Sequence, residues 1–341
     1  MAIGSGLSSQ VMIGAESTVG TAVTVDHALE FDTESVNYTK NVLQGKGLHA
    51  GGQYDRANRR VVSTVTAGGD LNVEAAYNGQ LLLWKHMLGA ISGPTVVTGS
   101  AYKSIITPGP LTGLGLTYQK GVPQTDGTVE PFTFNGGKIT GAKFSVSTSQ
   151  IAMLACTFDF WNVATATALA AASYPTTNGV FNFSQATISL GGTPSTTTGV
   201  TSISGGTPLA TLVNSFELDF SNPMKVDRFG LGNAGVKKEQ IENDYRPLTG
   251  TLGGEFTSRA ELWDLFKADT GTALQVTFTG PIITGSTHYV LDFVLPAVKF
   301  DTGDLSVGGP DVVPLSMGYT VLDNQVDNVV QVTITNTDTA L

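Results

Sequence analysis

One stretch of the sequence has the spacing of a phosphate-binding loop: GLGNAG, Gly230 to Gly235, matches G-x-G-x-x-G. In a dinucleotide-binding fold such glycines follow a strand, open a helix and cradle a pyrophosphate. Here they are followed by VKKEQIENDYRP, which ends at Pro247 and runs into strand pattern, with no alternating β-α series around it. The stretch reads as a glycine-rich turn. The histidines, His27, His49, His86 and His288, are scattered, and none has a second His, Cys or acid at metal-ligand spacing. They read as structural or surface residues. Neither a G-x-S-x-G elbow nor an H-E-x-x-H helix occurs, and Asp264 and Asp269 read as helix-surface charges. The single cysteine, Cys156, sits in the apolar run AMLACTFDF and reads as a small core hydrophobe. No catalytic, cofactor-binding or metal site is expected.

Two charged stretches remain. The first, DRANRR, holds Asp55, Arg56, Arg59 and Arg60, and the second, KKEQIENDYR, holds Lys237, Lys238, Glu239, Glu242, Asp244 and Arg246. A net charge of −10 opposes binding to a phosphate backbone, where affinity comes from Lys and Arg displacing counterions. The arginines are therefore expected to pair with acids on a neighbouring subunit, and the second stretch supplies such acids.

The elements that must carry these loops are mostly strands. Apolar and polar residues alternate in SFELDF (Phe216, Leu218, Phe220), ATISL and LQVTFT, between clusters of Gly, Pro, Asn and Thr. Helical spacing is clear only twice. In GGEFTSRAELWDLFKADTG, residues 253–271, Ser258 and Glu261 predict a capping box, Leu262, Leu265 and Phe266 an apolar face, and Gly271 a stop. In EAAYNGQLLLWKHMLGA, 179 positions earlier, Asn78 or Gly79 is expected to open a helix on which Leu81, Trp84 and Leu88 share a face. Tyr77, Leu83 and Trp84 of the earlier copy match Phe256, Leu262 and Trp263 of the later one, which predicts equivalent packing. Around each copy the order repeats: strands, a charged loop, a strand, a helix, closing strands.

A chain of 341 residues is long enough for two ordinary domains. A boundary near 170 divides it into a first domain, 1–170, ending in the Ala/Thr-rich stretch ATATALAAASYPTTNG, and a second, 171–341. That stretch reads as a linker, though its Ala-rich part could instead form a short helix. GGTPSTTTGVTSISGGTP, 191–208, has no counterpart in the first half and is expected to be an exposed hairpin or a flexible loop. Only 13% of residues are charged, which fits either a subunit buried against copies of itself or an ordinary glycine-rich β protein. MAIGSGLSSQ lacks the features of a signal peptide and no run approaches the roughly 18 apolar residues of a membrane span, so folding in the cytoplasm is expected.

The opening SQVMIGAESTVGTAV, the strand pairs ALEFDTESVNY and VFNFSQATISLGG…LVNSFELDFSN, the unit LTGTLGGEFTSRAELWDLFKADTGTALQVTFTG and the ending LPAVKFDTGDLSVGGPDVVPLSMGYTVLDN together resemble the major tail tube proteins of long-tailed, siphovirus-type bacteriophages. The resemblance lies in the order of these segments and spans nearly the whole chain. It implies a mainly β protein of two tandem β-sandwich or partial-barrel domains, each with one short flanking α-helix. It further implies a virion structural protein that assembles into stacked rings around a channel for the genome. Two tube domains per chain imply trimeric rings with pseudo-sixfold symmetry, and one implies a homohexamer. The partners implied are further copies of itself, the tape measure protein inside the tube, and the tail terminator and distal tail proteins, with genomic DNA passing through unbound. On this reading the charged loops at 53–60 and 237–246 are candidate contacts between rings. A β-rich adhesin or other virion component is the alternative, although neither a secretion signal nor a trimeric fibre pattern is visible.

Overall fold

The computed structural model describes residues 3–176 and 178–341. The fold is mainly β, and its centre is built from two groups of four strands paired in the same order. In the first group, Asn37–Gln44, extended backwards by Thr33–Glu34, pairs with Arg60–Glu74. That strand pairs with Met153–Phe160, which pairs in turn with the C-terminal part of the long strand Val129–Ser147. In the second group, Val213–Ser221 pairs with Leu248–Glu255, which pairs with Pro314–Val321, which pairs with the end of Thr287–Phe300. The groups meet where residues 141–147 pair with 215–221, Phe144 lying opposite Leu218. The result is one antiparallel run of eight strands.

Strict alternation gives this run two unlike faces, because successive side chains of a strand point to opposite sides. Val65, Ala67, Leu71 and Val73 are buried on one strand, as are Leu154, Cys156, Phe158 and Phe160 on its neighbour and Phe216, Leu218 and Phe220 across the junction. A second layer covers this apolar face. Its first part is Gln10–Glu16 with His27–Leu29 and Gly115–Pro123. Its second part includes Ala186–Leu190, Thr272–Thr284 and Gln331–Asn336, and Gln331–Asn336 pairs across the halves with Ala101–Pro108. One hydrophobic cluster runs through both halves.

The first helix spans Leu81–Leu88 and begins later than Asn78 or Gly79. Gln80 precedes it and folds back, its Oε1 accepting from Ala76 N–H (3.2 Å) and its Nε2 donating to Glu74 C=O (2.7 Å). Gly89 ends it at φ 112°, where an added Cβ would come within 2.3 Å of the Gly109 oxygen. The second helix is only Trp263–Lys267, and the expected capping box is absent from it. Glu261 instead accepts from the backbone N–H of Ala210 (2.6 Å) and Thr211 (2.8 Å), tying down a loop some fifty residues away in sequence.

After the short strand Asn162–Ala164, residues 165–176 form no helix but a coil, held by Gln10 Nε2 to Ala170 C=O (2.8 Å) and Gln119 Nε2 to Ala168 C=O (3.0 Å). Residues 193–204 form a hairpin, Thr193–Thr197 with Val200–Ser204, turning through Thr198 and Gly199 at positive φ. Thr201 anchors it: its N–H donates to Gln331 Oε1 (2.7 Å) and its C=O accepts from Gln331 Nε2 (2.9 Å).

Candidate assembly surfaces

The second charged stretch lies on a segment, 222–247, that crosses from the second half onto the first as a strap. Lys237 is only 1% exposed, its Nζ 2.5 Å from Asp159 Oδ1. Gln240 Nε2 donates to Asp159 Oδ2 (2.7 Å) and to Gly136 C=O (3.0 Å), and its Oε1 accepts from Trp161 Nε1 (3.0 Å). Glu239 pairs with the buried Lys138 (2.7 Å) and accepts from Gly113 N–H (2.6 Å). Glu242 accepts from Leu111 N–H (3.1 Å) and pairs with Arg246, whose guanidinium also donates to the carbonyls of Leu88 (3.1 Å) and Gly109 (2.8 Å). Val65 N–H completes the attachment by donating to Gly235 C=O (3.0 Å).

Titration shifts follow from this packing. Burial pushes Asp159 up and Lys138 down, each opposed by its ion-pair partner. Burial would also raise Glu239, but the Lys138 and Gly113 bonds outweigh it and hold that carboxyl below its usual range. Lys237, Glu239, Glu242 and Arg246, expected to reach another ring, are thus engaged within their own chain. Lys238 and Asp244 remain exposed. The GLGNAG stretch lies inside this strap with Gly232, Ala234 and Gly235 at positive φ and no helix after it, so its N–H groups are not arrayed at a helix start.

The first charged stretch behaves differently. The loop 45–59 stands out from the fold, with Leu48 and Tyr54 almost fully exposed and Arg59 and Arg60 in solvent, while Arg56 is half-buried. Within it Asp55 pairs with Lys46 (2.5 Å), and none of the three arginines is in an ion pair among the described residues.

The face of the eight-stranded run away from the core carries small polar side chains and carboxylates. Asp70, Glu74, Glu217, Asp219 and Glu255 occupy outward positions, with Lys143 and Lys299 among them. Lys143 pairs with Glu217 (2.7 Å), and that hydrogen bond raises the pKa of Lys143. Burial, then the charges of Asp32 and Glu30, raise Glu74; burial raises Asp219, with Lys143 opposing and Glu217 adding to the effect.

The aromatic residues repeated around the helices take unlike places. Trp84 is 2% exposed and packs against Phe144 of the first half and Phe220 and Phe293 of the second, at centroid distances of 6.5, 6.4 and 5.8 Å. Trp263 is half-buried at the rim, against Phe266 at 6.3 Å. Tyr77, Leu83 and Leu262 are buried and Phe256 is half-buried. Cys156 is buried, its thiol pushed up to about 12 by burial. Among the described residues, no three His, Cys, Asp or Glu side chains converge as metal ligands would, and no helix is long and apolar enough to cross a membrane.

A mainly β sandwich whose long sheet is apolar on one face, polar and acidic on the other, and repeated within the chain is a structural scaffold in its layout. The family model described as phage tail tube protein matches residues 6–321, and the chain belongs to that family. It is a structural component of the phage tail tube. No individually curated protein matches it in sequence.

Proposed function

We propose that three copies of this chain close into a ring of six similar lobes and that stacked rings form the hollow tail tube of a siphovirus-type phage. The observation that carries this reading is the repeated strand order, joined by a hydrogen-bonded strand pair. On this reading residues 1–170 and 171–341 each supply one tube unit, and the eight-stranded run is one third of the inner wall. Ring closure would remove the exposed strand edges that otherwise invite aggregation. The polar face then lines the channel. Its carboxylates repel DNA phosphates within a Debye length of about 8–10 Å, so the genome slides through to the host without being held. The tape measure protein fills the tube during assembly, and the terminator and distal tail proteins meet its ends.

Electron microscopy of tubes from the purified protein tests the reading by counting chains per ring. Three chains with six lobes support it; six chains in a ring would refute the duplicated-unit arrangement. A lumen whose potential at the wall is neutral or positive would refute the proposed repulsion.

A further inference from the structure

The strap 222–247 joins the first and second strands of its group, Val213–Ser221 and Leu248–Glu255, and lies over the group on the far side of Val213–Ser221. The loop 45–59 holds the same position in the first half, between Asn37–Gln44 and Arg60–Glu74. Among the described residues no group of strands lies beyond Asn37–Gln44, and the loop stands in solvent. We propose that loop 45–59 is a strap between neighbouring copies of one ring, laid over the second half of the adjacent copy as 222–247 is laid over the first half of its own. The proposal rests on the ring reading above and specifies which copy the loop meets.

The strand edges support the same placement. Along one edge of Val129–Ser147, Gly115–Pro123 covers the N-terminal part, and Val213–Ser221 follows on the same edge at 141–147. The counterpart Thr287–Phe300 is covered by Thr272–Thr284 up to Val298. Beyond Val298 no strand follows on that edge among the described residues, although the chain goes on pairing with Pro314–Val321, after a one-residue shift, through Asp304–Leu305. Among the described residues Asn37–Gln44, the counterpart of Val213–Ser221, is paired on one edge only. The two edges complete each other as the two edges at the internal junction do.

The loop also carries the charge for such a contact. From 45 to 60 the loop and its end carry Lys46, Arg56, Arg59 and Arg60 against Asp55, a net charge of 4 − 1 = +3. The internal strap is held by a charged contact, Lys237 on Asp159. Complementary charge of this sort fixes register and excludes wrong partners more than it adds affinity.

The test is a charge reversal read by electron microscopy and sedimentation, with far-UV circular dichroism to verify folding. Arg59→Glu/Arg60→Glu is expected to give folded chains that lose ring formation altogether. Separate, complete rings from Arg59→Glu/Arg60→Glu that merely fail to stack would assign the loop to the next ring and overturn the proposal, as would normal tubes. Wild-type protein that never forms rings would instead remove the ring reading itself, and this proposal with it.

Discussion

Replacing Trp84 with Ala should cost far more than replacing Trp263, although the two are matched in the repeated sequence. Trp84 is 2% exposed and touches rings from both halves, at 5.8–6.5 Å. Truncating such a buried aromatic loses its transfer free energy and leaves a cavity, about 3–5 kcal/mol in all. That is a large share of the roughly 5–15 kcal/mol by which a domain is stable. Trp263 is half in solvent and packs mainly on Phe266, with Lys267 Nζ 5.8 Å from its ring centroid, so its loss should cost about 1 kcal/mol. Urea unfolding of unassembled protein, followed by far-UV circular dichroism because each variant removes a fluorophore, compares the two directly. A single transition is expected for the wild type, since one core serves both halves, with a much lower midpoint for Trp84→Ala than for Trp263→Ala. Equal losses, or two separate wild-type transitions, would refute the shared-core reasoning.

Three further outcomes follow from buried charge and backbone geometry. Burial, then Lys85 and Lys138, lower His86 from 6.5 to about 3. Because the folded value is depressed, the neutral ring's contribution is complete above pH 6.5 and lost as pH falls toward 3, about 2 kcal/mol by pH 5; in His86→Leu, denaturation at pH 7 and pH 5 should lack that component of the slope. Lys237→Met leaves Asp159 buried without its cation, a change that costs about 3–5 kcal/mol for a fully buried pair, and limited proteolysis should then cut within 222–247 while the wild type resists. Gly89→Ala places a Cβ against the Gly109 backbone at φ 112°, and its thermal midpoint should fall below that of the exposed control Gly113→Ala, which shares a positive φ (86°) but meets nothing within 4 Å.

Much of the fold is written in local pattern. The alternation in SFELDF gave the core face of Val213–Ser221, and the repeated order of segments gave the repeated order of strands, because both depend on near neighbours along the chain. GLGNAG read as a turn for the same reason: its flanks lack helix signals. Contacts between distant residues left no such trace. Glu261 has the spacing of a capping residue, yet Ala210 and Thr211 claim it from across the fold. KKEQIENDYR reads as a charged loop reaching another subunit, and the burial of Lys237 depends on Asp159, 78 positions away in the same chain. Trp84 and Trp263 share a local pattern but not an environment, since only the first lies where the two halves converge.

The strand pair between 141–147 and 215–221 also bears on how quickly a ring could be built. A junction within one chain forms without a collision between molecules, so its rate is independent of protein concentration, and its high effective concentration comes from the tether. Only the seams between chains wait on diffusion. Since the last seam closes within the assembled ring, three double units would need two encounters where six single units need five, and the dilute early stage of assembly would be the stage most hastened.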